Sequence, residues 1–197
     1  MTIPTKKMSH DGFTLIETLV AITLLSIAVV APMSLAARSL GSAIYARDQI
    51  TAFYLAQEAI EALRSIRDAQ ILTIAQSTGG APDMFGSIPH DNSSFIIDAR
   101  KIDPANAITP CSGGPCPALK TNHTLYGYEN ETGWEATNFT RTVHACFVQS
   151  NGTCASPPTD ELRVTVTVEW KTGPIQKRTF SISENLYRWV NDGSGQQ

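Results

Sequence analysis

Residues 13–37 form a run of 25 residues with a single charge, the carboxylate of Glu17. An ionisable group in such a run marks function by default, because an acid at mid-bilayer costs about 2.5–3.5 kcal/mol on insertion scales. It calls for a cationic partner, or at least for the positive end of its own helix dipole. The dipole alone does not explain why the acid lies inside the run rather than before it. The other residues able to do chemistry are four histidines and four cysteines. His10, His90, His123 and His144 have no metal-ligand spacing. Asp91 beside His90 in "PHDNSS" reads as a polar turn, and His144 shares a strand face with Thr142 and Cys146, a solvated or edge position. The chain has no G-x-S-x-G, P-loop, H-E-x-x-H or G-x-G-x-x-G. No catalytic residue, no cofactor and no metal site is therefore expected.

The cysteines are Cys111, Cys116, Cys146 and Cys154, all beyond the apolar run. Their spacings, C-x4-C and C-x7-C, lack the C-x2-C knuckle of a zinc site. An even count on the far side of a membrane points to two disulfides in an oxidising compartment. Local bridges, Cys111 to Cys116 around "SGGP" and Cys146 to Cys154, would close short loops. Four cysteines still allow three pairings, and the sequence does not choose among them.

The elements that position these residues differ along the chain. As a helix, 25 residues reach about 37 Å, enough to cross a hydrocarbon core of about 30 Å. Lys6 and Lys7 precede the run, and Arg38 and Arg47 follow it, so flanking charge does not fix its orientation. One reading is a secretory signal with "SLAA" as its cleavage site. Asp11 and Glu17 argue against it, as does the length of the run. Another reading is a plain anchor. Pro32 removes one backbone hydrogen bond, so a local loosening is expected there. The net charge of −3, with no basic cluster beyond Lys6-Lys7 and Lys177-Arg178, indicates no nucleic-acid surface.

The stretch "GFTLIETLVAITLLSIAVVAP" resembles the N-terminal signature of type IV prepilins and pseudopilins. That pattern is a short basic leader ending in glycine, then phenylalanine, then an apolar segment with glutamate at its fifth residue. Here these are Lys6 and Lys7, Gly12, Phe13 and Glu17. The resemblance covers about the first 30 residues. It implies cleavage between Gly12 and Phe13 by a prepilin peptidase, N-methylation of Phe13, and a processed chain of 185 residues. It implies assembly with other pilin or pseudopilin subunits at an assembly platform in the inner membrane, with Glu17 paired to the Phe13 amine of a neighbour. The protein would start as a single-pass inner-membrane protein with an extracytoplasmic C-terminal domain, and end in a periplasmic or cell-surface filament. Pilus, DNA-uptake filament and type II secretion pseudopilus share this N-terminus. The softer likeness of "YLAQEAIEALRSIRD" to minor-pilin-like proteins, with two candidate disulfides, suggests a minor subunit.

Beyond the run, Ala52, Ala56, Ala59, Ile60, Leu63 and Ile66 form an amphipathic helical stripe, with Glu58, Glu61, Arg64, Arg67 and Asp68 opposite. Gly41 is a soft spot and Gly79-Gly80 a stop, so one kinked helix over 13–77, about 95 Å long, is predicted. Residues 79–94 read as a loop. Strands are predicted over 94–102, 123–129, 138–149, 161–171 and 175–190. The clearest is "ELRVTVTVEWK", where Leu162, Val164, Val166, Val168 and Trp170 alternate with polar residues. This is the pattern of an antiparallel sheet covered on one side. The expected fold class is α+β: a long N-terminal helix, membrane-spanning in its first half, packed on an antiparallel β-sheet. The expected divisions are a leader at 1–12, a membrane and filament-core helix at 13–37, its amphipathic continuation at 38–78, a globular β domain at 79–190 and a disordered tail at 191–197.

Five N-x-S/T sequons, at Asn92, Asn122, Asn130, Asn138 and Asn151, are read as a polar exposed surface beside a prokaryotic N-terminus. Two function classes follow. One is a structural, non-enzymatic filament subunit. The alternative is an anchored or secreted extracytoplasmic binding domain, for which the Gly12, Phe13 and Glu17 register would not matter.

Overall fold

The computed structural model describes residues 12–76, 83–101, 103–155, 160–172 and 176–189. The leader residues Lys6, Lys7 and Asp11, the Gly79-Gly80 stop and the tail at 191–197 lie outside the described residues. The chain divides into two compact units, Met1–Ala46 and Arg47–Gln197. Helix α1, Leu15–Gln76, contributes to both and is helical across Pro32 and Gly41.

In the first unit every described side chain except the half-buried Tyr45 is exposed. Phe13, Leu15, Ile16, Leu24, Leu25, Ile27, Val30 and Met33 present their apolar surface outward. Four of its hydroxyls are satisfied within the helix. Thr18 and Thr23 donate to the carbonyls of Leu15 and Val20, and Ser26 and Ser34 to those of Ile22 and Ala31. Such back-bonding lowers the demand of these hydroxyls for outside partners.

The second unit is α+β. Its strands are β1 (Phe95–Ile97), β2 (Ile108–Pro110), β3 (Ala118–Thr121), β4 (Tyr126–Gly127), β5 (Glu135–Val148), β6 (Cys154–Ala155), β7 (Glu161–Thr172) and β8 (Gln176–Tyr187). A short helix α2, Pro104–Ala107, precedes β2. All pairings are antiparallel. Strand β5 is the spine: β7 pairs with it along one edge, and β1 and β3 along the other. Strands β7 and β8 form an unbroken ladder of twelve pairs, from Glu161 opposite Tyr187 to Thr172 opposite Gln176.

Alternation decides which face is buried. In β7 the buried row is Leu162, Val164, Val166, Val168 and Trp170. In β5 it is Phe139, Arg141, Val143, Ala145 and Phe147. The second half of α1 supplies Ala52, Leu55, Ala56, Ala59, Ile60, Leu63 and Ile66, all buried. Each fully buried Leu, Ile, Val or Phe contributes about 1.5–3 kcal/mol of transfer free energy.

The structure departs from the sequence pattern in several places. The strand expected over 94–102 stops at Ile97, because Asp98 folds the chain back. The Asp98 carboxylate accepts from Arg100 N (3.2 Å) and the Asp98 carbonyl from Lys101 N (3.1 Å). Of 123–129 only Tyr126–Gly127 is strand. The stretch read as a loop over 79–94 buries Met84, Phe85 and Ile88 in its described part, with the Phe85 ring 5.9 Å from that of Phe147. Glu58, placed by periodicity on the wet side of the helix, is half-buried and paired with Arg141 (2.7 Å).

Arg141 is the joint of this unit. It occupies an apolar row and is fully buried. Its guanidinium also donates to the Leu55 carbonyl on α1 (2.9 Å) and the Ile97 carbonyl at the end of β1 (2.6 Å). One side chain thus ties helix, central strand and neighbouring strand together. Nearby, Tyr128 donates to the Arg141 carbonyl (3.5 Å), and burial pushes its phenol up from its ordinary pKa. Removing one partner of a buried charged pair usually costs about 3–5 kcal/mol. Glu58 can rehydrate, so Arg141→Ala is expected at the lower end, about 3 kcal/mol, in urea unfolding of this unit. A loss under about 1 kcal/mol would show that the guanidinium is not a joint.

Candidate functional site: the N-terminal segment

Gly12, Phe13 and Thr14 are non-helical, and α1 begins at Leu15. Thr14 caps it. Its carbonyl accepts from Glu17 N (3.1 Å) and Thr18 N (3.2 Å), and its hydroxyl oxygen accepts from Glu17 N (3.3 Å). The stretch Thr14-Leu15-Ile16-Glu17 is therefore a capping-box sequence, S/T-x-x-E, with Glu17 at the third helical position. This signal is legible in the sequence, and reading Glu17 only as a charge in an apolar run misses it. The threonine half of the box is formed. The Glu17 carboxylate makes no hydrogen bond or ion pair among the described residues. It stands on the first turn of a helix whose surroundings are Phe13, Leu15, Ile16, Leu19 and Val20, all exposed.

Gly12 is exposed, and a Cβ built on it meets nothing within 4 Å. No contact among the described residues requires glycine there. Among the same residues, helix α1 is the one element long and apolar enough to cross a membrane, with mean hydropathy 2.3 over its best window and no part of that window buried.

The remaining candidate residues lie apart from this segment in sequence and belong to the second unit. Cys111 is bonded to Cys116, and Cys146 to Cys154. The first bridge pins the turn between β2 and β3. The second joins the end of β5 to β6, on the sheet face opposite the core row. His90 and His144 use Nδ1 on the carbonyls of Ile88 (2.9 Å) and Asn92 (3.2 Å), and His123 is exposed at the turn before β4. No group of three His, Cys, Asp or Glu suited to a metal occurs among the described residues. A further cluster that the sequence did not reveal centres on Arg100. Its guanidinium bonds Asp98 through two nitrogens (3.1 and 2.9 Å) and Glu129 (2.8 Å), and lies 4.5 Å from the Trp134 ring centroid. Gly127 makes room for it, since a Cβ there would sit 2.6 Å from Arg100 Nε.

Comparison with known families gives one match. The family described as the prokaryotic N-terminal methylation motif covers residues 7–31, which include Gly12, Phe13, Thr14 and Glu17. The chain carries the type IV prepilin signature. Its long helix with an antiparallel sheet is a pilin-like architecture. No curated protein and no solved structure matches the chain.

The bridges close loops with sequence separations of 5 and 8 residues. Loops this short restrict the unfolded chain by about 2–3 kcal/mol in the chain-entropy model. Replacing Cys146 and Cys154 together by serine is expected to lower the unfolding free energy by about that amount while native-like circular dichroism persists. An unchanged denaturant midpoint would refute a structural role for this bridge.

Proposed function

We propose that this chain is a structural subunit of a type IV pilus or pseudopilus-like filament. In this reading residues 1–12 are a leader, cut between Gly12 and Phe13 by a prepilin peptidase that also methylates the new amine. Residues 13–37 are first a membrane anchor and then part of the filament core. Residues 38–78 continue the helix, residues 79–190 form an extracytoplasmic β domain, and residues 191–197 are a tail. The partners are the peptidase, the inner membrane, an assembly platform and other pilin or pseudopilin subunits. A minor subunit is the finer assignment, favoured by the two bridges in the second unit.

The observation that carries this reading is the coincidence of two independent features. The methylation motif covers residues 7–31, and the described part of that span has no buried side chain at all. A helix surface this apolar is stable only against lipid or other apolar helices. The role of glycine also fits an external demand. Nothing described in the chain fills the space beside Gly12, whereas a protease cleft that accepts extended backbone favours a residue without a side chain.

Glu17 and the freed Phe13 amine supply registry. Each is costly to bury alone, and together in low dielectric they attract strongly. Pairing the carboxylate of one subunit with the amine of the next selects one axial stagger among many that apolar packing tolerates. The capping box complements this. Thr14 accepts from the Glu17 amide, while the Glu17 carboxylate is not closed back onto the Thr14 amide among the described residues and stays available.

Two measurements test the proposal. Membrane-extracted protein should begin at N-methylated Phe13 by intact mass and N-terminal sequencing; a start near Ala36 or a retained Met1 would contradict it. Glu17→Ala should be cut normally and yet be lost from sheared filaments by at least tenfold. Normal incorporation of that variant would remove the registry role.

A further inference from the structure

The five sequons form a pattern that the filament reading leaves unused. The chain has eight asparagines, and 37 of its 197 residues are serine or threonine. Chance would place a hydroxyl residue two positions after one or two of those asparagines, whereas five have one. All five lie between residues 92 and 151, and α1 contains no asparagine. Asn138 projects from β5 on the same row as Thr140, Thr142 and His144, opposite the buried row that includes Arg141 and Val143. The Asn92 carbonyl accepts from or faces His144 Nδ1 on that outer row at 3.2 Å. Asn151 is in the turn between β5 and β6, and Asn130 in the connection between β4 and β5.

Their amide groups differ in availability. Asn92, Asn130 and Asn151 are exposed, and none of their Nδ2 atoms makes a hydrogen bond among the described residues. At Asn130 only Oδ1 is engaged, by Lys120 Nζ. At Asn151, too, only Oδ1 is engaged. Its Oδ1 accepts from both Thr153 N (3.0 Å) and the Thr153 hydroxyl (2.7 Å), so the sequon folds on itself with the nitrogen pointing free. Asn138 is different, because its Nδ2 donates across the sheet to the Lys171 carbonyl (3.2 Å). Asn122 is half-buried, and its Oδ1 accepts from Thr124 N and Leu125 N.

We propose that Asn92, Asn130 and Asn151 are acceptors for N-linked oligosaccharide, and that Asn138 is not. This rests on the reading above in one respect: these residues must lie outside the cytoplasm, where an N-x-S/T sequon meets its transferase. The donor is a polyprenyl-diphosphate-linked oligosaccharide. The bond between the anomeric carbon of its first sugar and the phosphate oxygen breaks, and a bond from that carbon to asparagine Nδ2 forms. The Nδ2 proton passes to a base of the transferase, and polyprenyl diphosphate leaves. No oxidant or reductant is needed. The sugars would stand on the loops around the sheet, and α1, which has no asparagine, would carry none.

The test uses the full chain isolated from the cells that make it, digested and mapped by tandem mass spectrometry. Peptides with Asn92, Asn130 and Asn151 are expected to carry oligosaccharide on the asparagine, and the Asn138 peptide to be bare. Thr132→Ala, at an exposed position, should abolish the modification of Asn130 while that asparagine remains. Bare asparagines at all three sites, or sugar on serine and threonine hydroxyls instead, would overturn the proposal. The N-terminal peptide in the same digest reports separately on the filament reading. Methylated Phe13 with bare asparagines overturns the glycans alone. A retained Met1 with modified asparagines supports the glycans and overturns the processing.

Discussion

From Phe13 to Leu40 this chain carries a large apolar helix surface, and none of its side chains is buried among the described residues. Phe13 is 82% exposed and Leu15 82%, and every buried side chain among the described residues lies at Asp48 or beyond. Water penalises such a surface in proportion to its area. In the proposed filament the remedy comes from outside the chain, as lipid before assembly and as other helices after it. That single constraint fits the way the hydroxyls of Thr18, Thr23, Ser26 and Ser34 are turned onto their own helix's carbonyls. It also explains why an uncommitted carboxylate at Glu17 is informative. Where apolar contact is available in every direction, a charge is the feature that can tell one packing arrangement from another.

The second unit solves the opposite problem. Its helix stripe, the inner rows of β5 and β7, and the buried residues Met84, Phe85 and Ile88 give it a core of its own. The costly feature is the guanidinium of Arg141, which is compensated by two backbone carbonyls and the Glu58 carboxylate. Apolar packing would hold a helix on a sheet with some freedom to slide. A buried cation with three fixed acceptors removes that freedom. The two units thus use charge in a similar way, Arg141 within the chain and, in the proposed filament, Glu17 between chains.

Legibility in the sequence followed the physics of each signal. The Gly12, Phe13 and Glu17 register stands out because each residue type is rare in its place. Strand β7 is readable because one face is apolar and the other polar through ten consecutive residues, Glu161 to Trp170. Strands β2, β3 and β6, with three, four and two residues, are too short for any period to show. The α2 turn carries a local signal of its own: Asp103 caps it, and Pro104 opens it. Arg141 was invisible for a different reason. A charged residue amid strand alternation reads as an edge or a wet position, and only the tertiary fold supplies the acceptors that make its burial tolerable. The Thr14 cap was legible as a local motif but is masked by the louder oddity of an acid in an apolar run.

In the proposed filament the register depends on where the Glu17 carboxylate finds its cation. Within one chain the Phe13 nitrogen is only four residues away, so a contact inside the subunit is the competing arrangement. Filaments grown from a mixture of ordinary and heavy-isotope subunits can separate the two. A zero-length carbodiimide reagent would join the Phe13 amine to Glu17 wherever they meet, and mass spectrometry of the linked peptides would read the isotopes. Linked pairs that combine one ordinary and one heavy chain are the predicted result. Amine and carboxylate joined only within single-isotope chains would contradict the claim that this pair sets the register between subunits.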